Sequence, residues 1–267
     1  MSLLVVEDLS VVYEGRGAAV RAVDGVSFAL QPGEVFALVG ESGSGKTSVA
    51  LALTRLLPIP PALVSGRVLI DGASLLDASD EALRTIRGGK VSYVFQDPAA
   101  SLNPVLTIGE QLLETITRHT ESRGRAAAQV AVEWLQRVGI ASAEERLAAY
   151  PHEFSGGMQQ RLCLAMALTA RPALLIADEP TTALDVTVQV QILRLLRDLQ
   201  RSLRLSVLLI SHDLTVVERL AHRIGVMAAG KLVEAGPVEQ VLRHPAHDHT
   251  KKLLRARLPS VRRHTTR

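Results

Sequence analysis

A glycine-rich segment that ends in lysine and threonine is the first part of this sequence that could do chemistry. It reads G-E-S-G-S-G-K-T and fits the pattern G-x-x-x-x-G-K-[ST]. The glycines let successive backbone N–H groups point at phosphate oxygens, and the helix N-terminus that follows adds its positive dipole. The lysine supplies a point charge to the β- and γ-phosphates, and the threonine hydroxyl can ligate Mg²⁺. We therefore expect a nucleotide-phosphate site at Gly40, Glu41, Ser42, Gly43, Ser44, Gly45, Lys46, Thr47 and Ser48.

Two acidic residues after an apolar run supply a second signal. Leu174–Ala177 leads directly into Asp178 and Glu179. Ligands of open α/β sheets bind at the carboxyl ends of strands. We therefore expect Asp178 to hold Mg²⁺, directly or through water, and Glu179 to act as general base on a water. The two signals predict a nucleoside triphosphatase, and the phosphate loop alone also allows a small-molecule kinase. The guanine-reading motif N-K-x-D is absent, because the sole asparagine, Asn103, precedes a proline.

The elements that could position these residues alternate between strands and helices, which favours an α/β fold with a mostly parallel sheet. A predominantly helical insertion is expected at about residues 100–170. The predicted strands are Leu3–Val6, Val26–Leu30, Val35–Val39, Arg67–Ile70, Val91–Phe95, Leu174–Ala177, Val207–Ile210 and Ile224–Met227. The predicted helices run from Lys46 to about Leu56, through Val130–Val138 and over Val186–Leu203, and loops are expected at Glu14–Gly17 and at Pro58, Pro60 and Pro61.

The composition excludes several classes of protein. Hydrophobic residues make up 47% and charged residues 21% of 267 residues, which is ordinary for a folded domain. No apolar stretch reaches the roughly 20 residues of a bilayer span without a charge or a proline, and no secretory signal opens the chain. The single cysteine, Cys163, allows no intrachain disulfide and no all-cysteine zinc site. We expect a cytoplasmic protein that does not cross the membrane by itself.

The positive charge is concentrated at the C-terminus. The net charge is +3, and residues 251–267 hold seven cations and no acid, so the rest of the chain carries −4. We expect this basic tail, at about residues 246–267, to lie near anionic lipid head groups or a permease, the alternative being a solvated tail. Aromatic residues make up only 3%, which argues against a base-stacking surface, so no nucleic-acid partner is expected.

A third motif lies between the phosphate loop and the acidic strand. Phe154-Ser155-Gly156-Gly157-Met158-Gln159-Gln160-Arg161 resembles the signature motif of ATP-binding cassette (ABC) proteins. Other motifs of that family occur in its order. Gln96 resembles its Q-loop, Ala183-Leu184-Asp185 its D-loop and His212 its H-loop, and Tyr13 lies where the family places an adenine-stacking aromatic. The resemblance covers roughly residues 3–245.

This resemblance implies a P-loop NTPase core with an N-terminal antiparallel β part, forming a single domain over residues 1–267. Two copies would pack head to tail around ATP and Mg²⁺. Gln96 would sense the γ-phosphate and Mg²⁺, and His212 would help Glu179 hold the attacking water. The partner copy would complete the ATP site with Ser155, Gly156, Gly157, Met158 and Asp185.

Finer motifs resemble the importers of oligopeptides, dipeptides and nickel. They are Phe95–Pro98 with Ser101–Pro104, Tyr150–Glu153, Asp178–Asp185, and His244–Pro245 with Thr250–Leu254. A peripheral ATPase on the cytoplasmic face of the inner membrane is implied. It would pair with itself or a paralogue, bind permease subunits, and depend indirectly on a solute-binding protein. No iron–sulfur cluster is expected, since Cys163 is alone. The alternatives are a cassette of an exporter or a phosphonate-processing assembly, and a soluble DNA-repair or translation ATPase.

Overall fold

The structure is a computed structural model that describes residues 2–14, 18–58, 62–182 and 184–257. Its strands are β1 (Leu4–Tyr13), β2 (Val20–Leu30), β3 (Val35–Val39), β4 (Ala62–Ile70), β5 (Ala73–Ser74), β6 (Val91–Val94), β7 (Leu174–Asp178), β8 (Ser206–Ser211), β9 (Arg223–Ala228) and β10 (Lys231–Pro237). Its helices are α1 (Lys46–Leu53), α2 (Asp80–Ile86), α3 (Pro98–Ser101), α4 (Ile108–His119), α5 (Gly124–Arg137), α6 (Ala143–Arg146), α7 (Gly156–Leu168), α8 (Val186–Leu203), α9 (Leu214–Leu220), α10 (Val238–Arg243) and α11 (Asp248–Arg257), with a 3₁₀ turn at Pro151–Glu153.

The larger sheet has six strands in the order β10-β9-β3-β8-β7-β6. Its pairs are parallel except for the antiparallel pair of β9 and β10. Every residue of β3, β7 and β8 is buried, as their continuous apolar runs predict. The carboxyl ends of these three strands lie at one edge, where the phosphate loop, the acidic pair and His212 begin. The predicted α/β fold with a mostly parallel sheet is confirmed.

A second sheet is antiparallel, with the order β2-β1-β4-β5. The predicted strands Leu3–Val6, Val26–Leu30 and Arg67–Ile70 are too short, because β1, β2 and β4 each extend several residues further. The pairing of β1 with β2 shifts register three times, and Asp8 has a φ of +49°. Such irregularities interrupt the in–out alternation by which a half-buried strand is detected in a sequence.

Helix α1 ends three residues earlier than predicted. Its last residue is Leu53, and Arg55 takes a φ of +49°. The Arg87 guanidinium, at the C-terminal end of α2, donates to the carbonyl oxygens of Thr54 at 2.8 Å and Arg55 at 2.7 Å. A distant cation therefore caps this helix terminus, which local sequence does not reveal. Pro60 and Pro61, like Gly15–Gly17 of the predicted turn, lie outside the described residues.

Helices α3 to α7 follow one another between β6 and β7, within the region expected to be helical. Their apolar faces meet in one core that includes Ile108, Leu112, Trp134, Leu135 and Leu164. This core continues under the larger sheet, and the helix that carries the signature segment, α7, packs against β6.

The C-terminal region begins with a helix. Leu253 and Leu254 of α11 pack against the core, and Glu234 of β10 accepts hydrogen bonds from the N–H groups of Ala246 at 2.8 Å and His247 at 3.0 Å. The first cations predicted for the basic tail therefore belong to α11. Residues 258–267 lie outside the described part of the chain.

Candidate active site

The phosphate loop leaves β3 at the carboxyl edge of the sheet and enters α1. Gly40 and Gly45 have φ values of +155° and +101°. A Cβ at Gly40 would collide with the carbonyl oxygen of Met227, and one at Gly45 with that of Ala22. Both positions require glycine because the loop backbone lies directly against β9 and β2.

Lys46 is the first residue of α1, and its side chain folds back over the loop. Its Nζ donates to the carbonyl oxygens of Gly40 at 2.9 Å and Glu41 at 2.8 Å. Burial lowers the pKa of Lys46, while the charges of Glu179 and Asp178 oppose that effect. A charge-assisted bond to a phosphate is stronger than a bond to a neutral carbonyl, so a phosphate can displace these contacts.

Thr47 and Asp178 place two oxygen ligands side by side. Thr47 Oγ1 donates to Asp178 Oδ1 at 3.4 Å, and Tyr93 Oη donates to Asp178 Oδ2 at 2.8 Å. Burial raises the pKa of Asp178, and the hydrogen bonds from Tyr93 and Thr47 oppose that rise. Oxygen donors of this kind are the ligands that Mg²⁺ prefers, so these residues fit the ion that the phosphate loop implies. Gln96 Nε2 donates to Glu179, which leaves the carboxamide oxygen of Gln96 as a possible third ligand for the ion.

Glu179 is the centre of a hydrogen-bonded cluster. Its Oε2 accepts from Thr182 Oγ1 at 2.8 Å and from Gln96 Nε2 at 3.2 Å. Its Oε1 lies 3.1 Å from His212 Nδ1. Burial raises the pKa of Glu179, but the hydrogen bonds from His212 and Thr182 and the charges of His212 and Lys46 outweigh it, so the pKa lies below its ordinary value. Glu179 is therefore ionised at neutral pH, as a general base must be.

The backbone at Glu179 is strained. Its φ of +46° is in the left-handed region that non-glycine residues rarely adopt, while its N–H donates to the carbonyl oxygen of Ile210 at 2.9 Å. Such strain persists where the surroundings fix it, and it is concentrated at functional sites. Here it turns the carboxylate away from β7 and toward Gln96 and His212.

Lys46, Thr47 and the Glu179 cluster share one cavity of about 700 Å³. Its walls are the phosphate loop, the Glu179 cluster and, on the side of the smaller sheet, Tyr13, Val20 and Ala22. Tyr13 Oη lies 3.1 Å from Ser48 Oγ, so the ring stands beside the phosphate loop. Four residues predicted for the phosphate and Mg²⁺ site do not line the cavity, namely Gly40, Glu41, Ser44 and Asp178.

The signature residues and Asp185 do not line this cavity. Ser155 caps α7, and its Oγ accepts from Met158 N at 3.4 Å. Asp185 caps α8, and its Oδ1 accepts from Val188 N at 3.0 Å. The two helix starts are in contact, because a Cβ on Gly157 would lie 2.5 Å from Val188 Cγ1. Within one copy, the signature segment therefore lies outside the cavity that the phosphate loop lines.

Comparison with known proteins settles the family. The sequence profile described as ABC transporter matches residues 23–182, more than half of the chain. The chain belongs to the ABC transporter family. It is 46% identical over 260 residues to the oligopeptide transport ATP-binding protein OppD of Bacillus subtilis strain 168, an alignment that covers 97% of this chain and 72% of OppD.

A second relative of this chain is the peptidoglycan transport ATP-binding protein YejF of Agrobacterium fabrum. The two are 53% identical over 255 residues, which cover 95% of this chain and 47% of YejF. The chain therefore spans about half the length of that relative.

Among solved structures, the ABC fold is similar to a dimeric ATP-binding cassette in a post-hydrolysis state bound to ADP and Pi. The TM-score is 0.78 at 26% identity, covering 88% of this chain and 98% of the other. This likeness confirms the predicted P-loop NTPase fold. In the ABC chain, the described residues include no helix that is long and apolar enough to span a bilayer.

Two residues of this ABC site were not predicted from the sequence. Thr182 donates a hydrogen bond to Glu179, and Tyr93 donates one to Asp178. Thr182 lies three residues after Glu179, within the D-E-P-T-T run. Tyr93 follows Ser92 in β6 and lies three positions before Gln96, so its polar tip does not stand out in the sequence. The adjacency of β6 and β7 in the sheet is the signal that would have identified Tyr93.

Proposed function

We propose that this chain is the ATP-hydrolysing subunit of an ABC importer of peptides. The observation that carries the hydrolytic part is the Glu179 cluster. One ionised carboxylate, held by Gln96, Thr182 and His212, lies in the same cavity as a phosphate loop. A base in this position, beside the loop that binds the terminal phosphate, is suited to activating the attacking water.

In the proposed reaction, a water oxygen attacks the γ-phosphorus of ATP while the bond to the β–γ bridging oxygen breaks. Glu179 accepts the proton that the water loses, and ADP leaves with the electron pair of the broken bond. Lys46 and the loop N–H groups stabilise the charge on the phosphate oxygens. His212 and Thr182 keep Glu179 ionised and oriented. Mg²⁺, when bound by Thr47 and Asp178 with Gln96 nearby, neutralises charge on the β- and γ-phosphates.

The site is completed by a second copy or a paralogue. The cavity is open on one side, and Ser155 with its N–H-bearing helix start lies elsewhere on the same copy. The N-terminus of α7, with its two glycines, presents backbone N–H groups that can bind a phosphate of the partner's nucleotide. The dimeric cassette with ADP and Pi, described above, supports the pairing of two copies. In the proposed pair the copies are head to tail, and the residues that face the partner's nucleotide are Ser155, Gly156, Gly157, Met158 and Asp185.

A permease would dock at the β6 edge of the sheet. A groove of about 380 Å³ lies there between the strand and α7, and its lining includes Leu56, Phe95, Cys163 and Met166. Phe95 is 42% exposed and directly precedes Gln96, so a helix bound in the groove would push on the residue that contacts Glu179. This connection supports coupling between permease and nucleotide.

The groove can be tested by substitution. Phe95→Asp is expected to reduce co-purification with the permease subunits at least tenfold while nucleotide binding is retained, because a carboxylate would be buried in an apolar contact. Leu63→Asp is the matched control, since Leu63 is also exposed, at 56%, but lies on β4 of the smaller sheet. Equal recovery of the permease with both variants would rule out the groove as the docking site of the permease.

Peptides are the proposed cargo because OppD is by name an oligopeptide transport protein and YejF a peptidoglycan transport protein. The permease and an extracytoplasmic solute-binding protein would select that cargo, with this subunit peripheral on the cytoplasmic face. Affinity purification from native membranes, followed by mass spectrometry, tests the assignment. Recovery of permease and peptide-binding subunits is expected, and recovery of exporter or metal-uptake components would contradict it.

A further inference from the structure

An arginine-lined cavity lies between α8 and α9, outside the site described above. Its volume is about 240 Å³. One part of its lining is apolar and the rest is cationic, and the residues are Val190, Leu193, Arg194, Arg197, Arg219 and Leu220.

The cationic part of the lining lacks acceptors. Arg197 Nε is buried without a hydrogen-bond partner, and the nearest carboxylate oxygen, on Asp198, is 3.9 Å away. Within the described ranges, neither Arg194 nor Arg219 forms an ion pair. The described residues that line the cavity include three arginines and no acid. The Arg197 side chain is 42% exposed, but its Nε atom is shielded from solvent and has no acceptor, and an anion in the cavity would supply one.

We propose that this cavity binds a small organic phosphate monoester. Guanidinium groups present planar pairs of N–H donors that match phosphate oxygens, and three of them suit a dianion better than a single carboxylate. Val190, Leu193 and Leu220 would cover the hydrocarbon part of the ligand. The cavity is smaller than the roughly 300–1,000 Å³ of sites for drug-sized ligands, so it is too small for a nucleotide.

The position of the cavity connects it to the nucleotide site. Helix α8 starts directly after Asp185, and α9 starts two residues after His212. A phosphate held by Arg197 and Arg219 together would tie these two helices to each other. Binding would therefore bias the segments that carry the D-loop and His212. This effect on turnover rests on the proposed function, whereas the binding itself does not.

The test is calorimetric titration with phenyl phosphate, carried out with the nucleotide site saturated by a non-hydrolysable ATP analogue and Mg²⁺. We expect saturable binding, weakened tenfold or more by Arg197→Gln and by Arg219→Gln. Arg201→Gln, on the same helix but outside the cavity, is expected to change the dissociation constant less than twofold. Benzyl alcohol, which lacks the phosphate, should not bind.

A thermal melt of each variant shows that it is folded, and Arg219 is exposed, so its replacement leaves the fold intact.

Absence of saturable binding up to about 10 mM phenyl phosphate would overturn the proposal. Equal weakening by Arg201→Gln would also overturn it, because that result indicates diffuse attraction rather than a site. Binding of phenyl phosphate by a protein that shows no ATPase activity would uphold this site and contradict the proposed function, so the two failures are distinguishable.

Discussion

At the scale of single residues, the hydrogen bonds around Glu179 determine its protonation state. Glu179→Gln keeps the size of the side chain and its contact with Thr182 but removes the proton acceptor. We expect ATP hydrolysis to fall roughly 10²–10⁴-fold, the usual contribution of a general base, while nucleotide affinity stays within about twofold of the wild type. Phosphate release and nucleotide titration measure the two quantities.

Glu239→Gln is the matched control for this substitution. Glu239 lies on α10, is exposed and pairs with Arg243. It should leave turnover unchanged. Wild-type turnover by Glu179→Gln would remove Glu179 from the role of base.

Tyr93→Phe tests the contact of Tyr93 with Asp178. Burial raises the pKa of Asp178, and the hydrogen bond from Tyr93 partly offsets that rise. Removal of the hydroxyl should raise the pKa further, so Asp178 becomes protonated at a higher pH. Because Mg²⁺ needs the ionised carboxylate, the acid limb of the pH–activity profile should move to higher pH, with less change in alkaline solution. A profile that coincides with those of the wild type and of Tyr150→Phe would contradict this account.

At the scale of elements, the start of α7 packs directly on α8. Gly157→Ala should destabilise the fold by about 1–3 kcal/mol, because its Cβ would overlap Val188 Cγ1. Gly156→Ala, whose Cβ would lie 3.7 Å from Leu184 Cδ2, should change stability by less than about 1 kcal/mol. Denaturant unfolding measures both.

The double variant Gly157→Ala with Val188→Ala provides the decisive comparison for this contact. Shortening Val188 should relieve the overlap, so the coupling between the two substitutions should be favourable by about 1 kcal/mol. Additive destabilisation would show that the two helix starts are not in contact.

Elements that are buried on both faces could be predicted from the sequence. The apolar runs of β3, β7 and β8 predicted strands buried on both faces, and the motifs after them supplied the candidate residues of the site. The contact between Gln96 and Glu179, 83 residues apart, could not be predicted from local sequence. It arises because Val94 of β6 pairs with Ala177 of β7, which places the residues that follow both strands side by side.

At the scale of the whole molecule, helix α11, the described part of the basic tail, and the proposed permease groove are at opposite edges of the larger sheet. The groove follows β6, whereas α11 is anchored to β10 through Glu234. Truncation after Arg257 removes residues 258–267, including Arg262, Arg263 and Arg267. Since each cation near an anionic surface contributes about 1 kcal/mol, binding to phosphatidylglycerol vesicles at low salt should weaken tenfold or more.

Permease recovery and soluble ATPase activity should be unchanged by this truncation. Neutral phosphatidylcholine vesicles provide the control. Unchanged binding to anionic vesicles would show that the tail is simply solvated.

The central claim is that ATP is enclosed only between the phosphate loop of one copy and the signature helix start of another. Sedimentation of Glu179→Gln with ATP and Mg²⁺ tests it most directly. We predict a dimer with ATP and a monomer without it. Addition of Ser155→Arg should return the protein to a monomer that still binds nucleotide, since Ser155 lies outside the cavity of its own copy. A dimer that persists with Ser155→Arg, or a monomer saturated with ATP in Glu179→Gln, would contradict the claim.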